Sequence, residues 1–91
     1  MKYGMFSIYD EKANAYLPPF ILPETGMAIR TFGDCVNSDT HQFGQHPADY
    51  SLYQIAEFDD SDGHPEPGKK LILTGLEVKK PKLEQVPEYE S

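Results

Sequence analysis

Apolar and aromatic residues crowd positions 3–9, Tyr-Gly-Met-Phe-Ser-Ile-Tyr, and give way to a polar run at 10–14. A dense β-branched and aromatic run bounded by polar turn residues predicts a strand. Ala15-Tyr16-Leu17 resumes the pattern, so the two runs together predict a β-hairpin. Pro18-Pro19 closes its second strand, because proline has no N–H for a ladder. Phe20-Ile21-Leu22 reads as an apolar connector closed by Pro23. Over residues 24–37 the period changes. Ala28, Ile29, Phe32, Cys35 and Val36 recur at helical spacing and form one apolar stripe. Thr25 is the expected N-cap, and Glu24 suits the positive end. Gly26 and Gly33 each weaken such a helix by about 1 kcal/mol relative to Ala, and a glycine there lets another element come close.

After a stop signal at Asn37-Ser38-Asp39, residues 38–49 read as a polar loop ending in a Pro47-Ala48-Asp49 turn. Residues 50–58, Tyr-Ser-Leu-Tyr-Gln-Ile-Ala-Glu-Phe, are the strongest strand pattern in the chain. Their alternation is imperfect, which predicts partial cover on both faces. Residues 59–63 read as a turn and 64–68 as a proline-rich segment. Leu71-Ile72-Leu73 fits either a last strand or a docked segment. From Lys79 onward the composition is that of a mobile tail. The order strand, strand, helix, strand and an optional fourth strand predicts an α+β fold: a small antiparallel sheet of three or four strands with one helix packed on it. Residues 1–68 are expected to form the single domain, and 69–91 an apolar segment followed by a charged, flexible tail.

Ninety-one residues leave room for one thin core. A sheet of so few strands has open edges, so self-association through an edge or the uncovered face is expected, as a homodimer or a larger oligomer. No run of about 18 apolar residues predicts a membrane span, and no apolar leader follows the first residues. The single cysteine, Cys35, cannot form an internal disulfide, which fits a reducing cytosol.

Charge narrows the partner classes. The net charge is −7. Residues 1–68 hold three basic and eleven acidic residues, whereas 69–91 hold five lysines against four glutamates. An acidic body repels phosphates at long range and argues against generic coating of nucleic acid, but leaves room for a local basic patch.

The chemistry-bearing residues are sparse. His41 and His46, with Asp39 and Asp49 nearby, have no third strong ligand at a fixed offset, so surface histidines are the better reading and no metal is implied. The Asp59-Asp60-Ser61-Asp62-Gly63 run fails as a calcium loop, since Phe58 falls at position 1 and Lys69 where a glutamate belongs. Cys35 lies on the apolar stripe without an activating base. No phosphate loop, nucleophile elbow or paired-carboxylate motif is present, so nothing calls for an enzyme or a cofactor. The remaining signal is aromatic: Tyr3, Phe6, Tyr9, Tyr16, Tyr50, Tyr53 and Phe58 lie on or beside strands. Such rings either stack on unpaired bases or form core and interface, the latter being commoner.

Several stretches carry a resemblance. They are residues 6–13 (Phe-Ser-Ile-Tyr-Asp-Glu-Lys-Ala), Pro19-Phe20, residues 26–32 (Gly-Met-Ala-Ile-Arg-Thr-Phe), 34–37 (Asp-Cys-Val-Asn), 46–53 (His-Pro-Ala-Asp-Tyr-Ser-Leu-Tyr) and Phe58-Asp59. In order and spacing this set, over residues 3–63, resembles the small nonstructural protein of gokushoviruses and related microviruses, tailless phages with single-stranded DNA genomes. The resemblance implies a protein made in the host bacterial cytoplasm, distinct from the capsid, pilot, scaffolding and replication-initiator proteins. It implies a role in the shift from double-stranded replication intermediates to packaged single strands.

The leading expectation is a non-enzymatic accessory protein that binds phage replication or procapsid proteins, with single-stranded DNA as a further candidate ligand. For DNA the candidate contacts are Arg30, Lys69, Lys70, Lys79, Lys80 and Lys82, with Tyr3, Tyr9 or Tyr53 stacking on bases. A surface salt bridge to Asp34 is the simpler role for Arg30. The rival readings are an oligomeric assembly protein that binds no nucleic acid and an acidic inhibitor directed at a host protein.

Overall fold

The computed structural model describes residues 1–81. Its frame is a mixed-length antiparallel sheet with helices gathered on one face. Strand β1 (Lys2–Asp10) lies at the centre and pairs along its whole length with β4 (Tyr50–Asp59). On its other edge β1 pairs with two short strands, β2 (Ala15–Tyr16) and β3 (Phe20–Leu22). Strand β5 (His64–Thr74) pairs with β4 and closes the opposite edge, giving the order β2-β1-β4-β5. The predicted α+β architecture is the one observed, with the sheet four strands wide.

Local expectations about the sheet edges change. Phe20-Ile21-Leu22 is a strand rather than a connector, since Gly4, Met5 and Phe6 face Leu22, Ile21 and Phe20 across a ladder. The Pro18-Pro19 pair interrupts that edge without ending it. The Leu17 N–H still donates to Ile8 O (2.8 Å), and the Ser7 hydroxyl donates to Leu17 O (2.6 Å), which satisfies the fully buried Ser7. The proline-rich stretch 64–68 lies within β5. This is an edge strand, where a missing proline N–H costs no ladder bond. Because β5 runs across position 68, Lys69 and Lys70 sit in the sheet.

Helix α1 (Thr25–Val36) occupies nearly the predicted span. Its N-cap is Glu24, not Thr25, and no side chain caps it. Ala28, Phe32 and Val36 point from α1 onto Phe6, Ile8, Tyr50 and Leu52 of the sheet; Phe6, Val36 and Leu52 have no exposed surface. A one-turn helix α2 (Gln42–Gln45) adds Phe43 to this core. His41 caps α2, its Nδ1 accepting the Phe43 N–H at 3.0 Å. A 3-10 turn (Pro47–Asp49) then feeds β4.

A second one-turn helix, α3 (Gly75–Val78), follows β5 and is held by a Thr74–Glu77 capping box. Two glycines let it dock. A Cβ on Gly75 would stand 2.1 Å from the Pro47 carbonyl oxygen, and one on Gly33 would meet the Val78 side chain at 3.2 Å. Asn37, at the end of α1, completes the join. Its Nδ2 donates to Gly33 O (2.8 Å) and Val78 O (3.0 Å), and its Oδ1 accepts the Lys80 N–H (2.7 Å). The three α-helices of the described residues therefore lie on one side of the sheet, and none of them is long and apolar enough to cross a membrane.

Candidate functional site

Strand alternation sorts the sheet side chains into two sets. Phe6 and Ile8 of β1, with Phe20 and Leu22 of β3, face the helices. The opposite set carries Tyr3, Met5, Tyr9 and Ile21, and none of the described helices covers it. At one end of this open face three tyrosines converge. Tyr9 lies opposite Tyr16 across the β1–β2 ladder, their rings 4.8 Å apart and tilted by 57°. Tyr53 of β4 closes the triangle, edge-on at 5.5 Å from Tyr16 and 6.4 Å from Tyr9. These are favourable offset and edge-to-face arrangements, each worth about 0.5–1.5 kcal/mol beyond area burial. The Tyr9 hydroxyl donates to Asn14 Oδ1, in a turn where Asn14 takes the left-handed conformation (φ 56°).

Lys69 reaches over this cluster from β5. Its Nζ is 5.2 Å from the Tyr16 ring centroid and 5.9 Å from that of Tyr53, within cation–π range. Hydrogen bonding to Tyr16, then the charge interaction with that phenol, raises the Lys69 pKa above its ordinary value. At the far end of the same face Tyr3 packs on Phe58 at 6.4 Å. Ile21 and Leu71 are half exposed on it, at 48% and 50%.

A second surface lies on the other side of the sheet, at the β4–β5 turn and beyond the reach of α1. Glu57 faces Glu66, and Asp59 faces His64, across the ladder. With Asp62 and Lys2 they line a shallow depression of about 210 Å³. Lys2 Nζ stands 3.8 Å from Glu57 Oε1, and the terminal ammonium of Met1 donates to Asp60 Oδ1 at 2.7 Å. The Asp59 carboxyl is held below its ordinary pKa, first by the Ser61 backbone N–H and then by the Ser61 hydroxyl. Among the described residues no three His, Cys, Asp or Glu converge as a metal-binding group.

The predicted DNA contacts do not form one patch. Tyr9, Tyr53 and Lys69 come together, and Tyr16 joins them. Tyr3 is at the other end of the open face. Lys70 faces Gln54 across the β4–β5 ladder. Arg30 and Lys80 lie on the helix side, lining a groove of about 540 Å³ with Ile29 and Val78. Lys79 Nζ donates to Val36 O at 3.2 Å. Lys82 lies outside the described residues. The expected Arg30–Asp34 bridge is not formed: the ion pairs of the described residues join Met1 to Asp59 and Asp60, and Lys2 to Glu57. Cys35 is half-buried, and desolvation followed by the nearby Asp34 charge raises its thiol pKa. The signal for Tyr16 was the hairpin itself: pairing across the turn places it opposite Tyr9.

The fold thus defines a small two-layer α+β protein, with helices on one face of an antiparallel sheet and an aromatic open face. A family model described as Phage ORF5 protein matches residues 3–78, and the chain belongs to that family of bacteriophage proteins. No curated protein and no solved structure matches the chain.

Proposed function

We propose that this phage protein is a non-enzymatic accessory factor of single-stranded DNA genome synthesis and packaging, of the gokushovirus and microvirus kind. It acts in the host bacterial cytoplasm by binding a phage replication or procapsid protein. The observation that carries this reading is the acidic end of the β4–β5 ribbon. Glu57, Asp59, Asp62 and Glu66 gather there with Lys2 as the one lysine beside them among the described residues. In a chain of net charge −7, that surface suits a basic protein patch and repels phosphates. The scattering of Arg30, Lys70, Lys79 and Lys80 away from Lys69 points the same way.

The test is pairwise binding of the purified chain to the phage's replication and procapsid proteins. Affinity for one of them should fall as salt rises, and fall again when Glu57, Asp59, Asp62 and Glu66 are neutralised to Gln or Asn. Binding that ignores both changes would refute the reading. A second reading has its own support. Tyr9, Tyr16 and Tyr53 under Lys69 offer rings for stacking unpaired bases and one cation for a phosphate. Salt-sensitive binding of single-stranded oligonucleotides, lost on Tyr53→Ala, would favour it.

A further inference from the structure

We infer that the open face of the sheet is a self-interface, on which a second copy of this chain packs face to face. Four observations lead there. The strands flanking this face carry apolar residues on both sides. In β3, Phe20 and Leu22 pack on the core while Ile21 between them is 48% exposed; in β5, Ile72 and Leu73 pack inward while Leu71 is 50% exposed. Strands apolar on both faces are those buried on both faces.

The edges, by contrast, are guarded. Pro65 and Pro67 interrupt the free N–H row of β5, which also bulges beside Leu52 and Gln54, and Pro18-Pro19 splits the β2–β3 edge. Pairing edge to edge is therefore disfavoured, and the face remains. Among the described residues that face bears a single nearby cation, Lys69, and the acids that line the depression at the β4–β5 turn lie on the other side. A polyanion needs several cations and a charged protein patch needs opposite charges, whereas a second copy needs neither. The area fits a small interface. Strands about 4.8 Å apart and a β1 rise of about 3.3 Å per residue give a footprint of roughly 500 Å² in projection. Side-chain relief adds to this projection, which places the face at the small end of specific interfaces, below the roughly 800 Å² per partner of a standard one.

The test is sedimentation equilibrium of the full chain at micromolar concentrations. The expected mass is twice the 10.3 kDa chain mass and does not decrease as salt rises, unlike the acidic contact proposed above. Ile21→Glu and Leu71→Glu each place a charge on the face at a position half exposed in the single copy. Each should weaken the dimer on the order of 10-fold or more, and the pair should yield a monomer that still melts cooperatively. If the pair unfolds, Ile21→Ser with Leu71→Ser gives the same readout. Met27→Glu, 44% exposed on α1 across the sheet, should leave the dimer intact. A monomeric wild-type chain, a dimer indifferent to the face variants, or one broken equally by Met27→Glu would overturn the inference. So would a monomer that binds oligothymidylate through Tyr53, because DNA would then be the occupant.

Discussion

Asn37→Ala should release the α3 segment from the body of the fold. Three hydrogen bonds end on this one side chain: to Gly33 O at 2.8 Å, to Val78 O at 3.0 Å and from Lys80 N–H at 2.7 Å. A typical internal hydrogen bond contributes about 0.5–1.5 kcal/mol net. Two of the bonds are part-buried and that from Lys80 is exposed, so water can recover some of the loss and the total effect is about 1.5–2.5 kcal/mol. For a domain of this size 1 kcal/mol shifts Tm by about 4–8 °C, so a fall of about 6–20 °C is expected by circular dichroism. Asn37→Asp separates the contributions. It keeps the acceptor for Lys80 but loses both donors and sets a carboxylate against two carbonyl oxygens, so it should be no better than alanine. Hydrogen exchange localises the effect: the Lys79 and Lys80 amides should lose protection while those of β1 keep theirs relative to global stability. A Tm within 2 °C of wild type, with Lys80 still protected, would show that Asn37 is not the clamp.

Gly75→Ala drives a methyl into the Pro47 carbonyl, where 2.1 Å of separation is far below contact, and should cost about 1–3 kcal/mol in a thermal melt. Leu52→Ala, in a fully buried site between Ile8 and α1, should cost about 2–5 kcal/mol in a urea titration. Burial raises the Tyr50 pKa above its ordinary value of 10.0, the charges of Asp10 and Asp49 adding to it. The protonated phenol is thus favoured in the folded state. Its contribution is complete below pH 10 and is lost as pH climbs through the raised value, so stability should decline in that alkaline range, and less in Tyr50→Phe. Cys35, with its thiol pKa raised, should react with a thiol reagent at pH 8 more slowly than in the urea-unfolded chain.

Much of the frame was legible in the sequence because the strongest signals were local. The β1 and β4 runs are dense in aromatic and β-branched residues, and the α1 stripe at Ala28, Phe32 and Val36 has a clear helical period. What local pattern could not supply was pairing. Phe20-Ile21-Leu22 is too short and too closely boxed by prolines to read as a strand, and becomes one only because β1 offers a free edge. Residues 64–68 read only as a proline-rich segment, yet their place on the sheet edge makes the prolines harmless. The same holds for the tyrosine cluster. Tyr9, Tyr16 and Tyr53 lie on three strands, and only the register brings their rings together under Lys69. The described candidate lysines and Arg30, one group by charge in the sequence, are divided by the sheet into two faces.

The most direct test of the binding proposal is a parallel titration of the purified chain across a salt series. A labelled single-stranded oligonucleotide is one titrant, and the phage's replication and procapsid proteins are the others. The expected result is salt-sensitive binding to one of the proteins, weakened by neutralising the Glu57, Asp59, Asp62 and Glu66 surface, with no binding to the oligonucleotide at low salt. Tight binding of the single strand with no affinity for any of the proteins would contradict it.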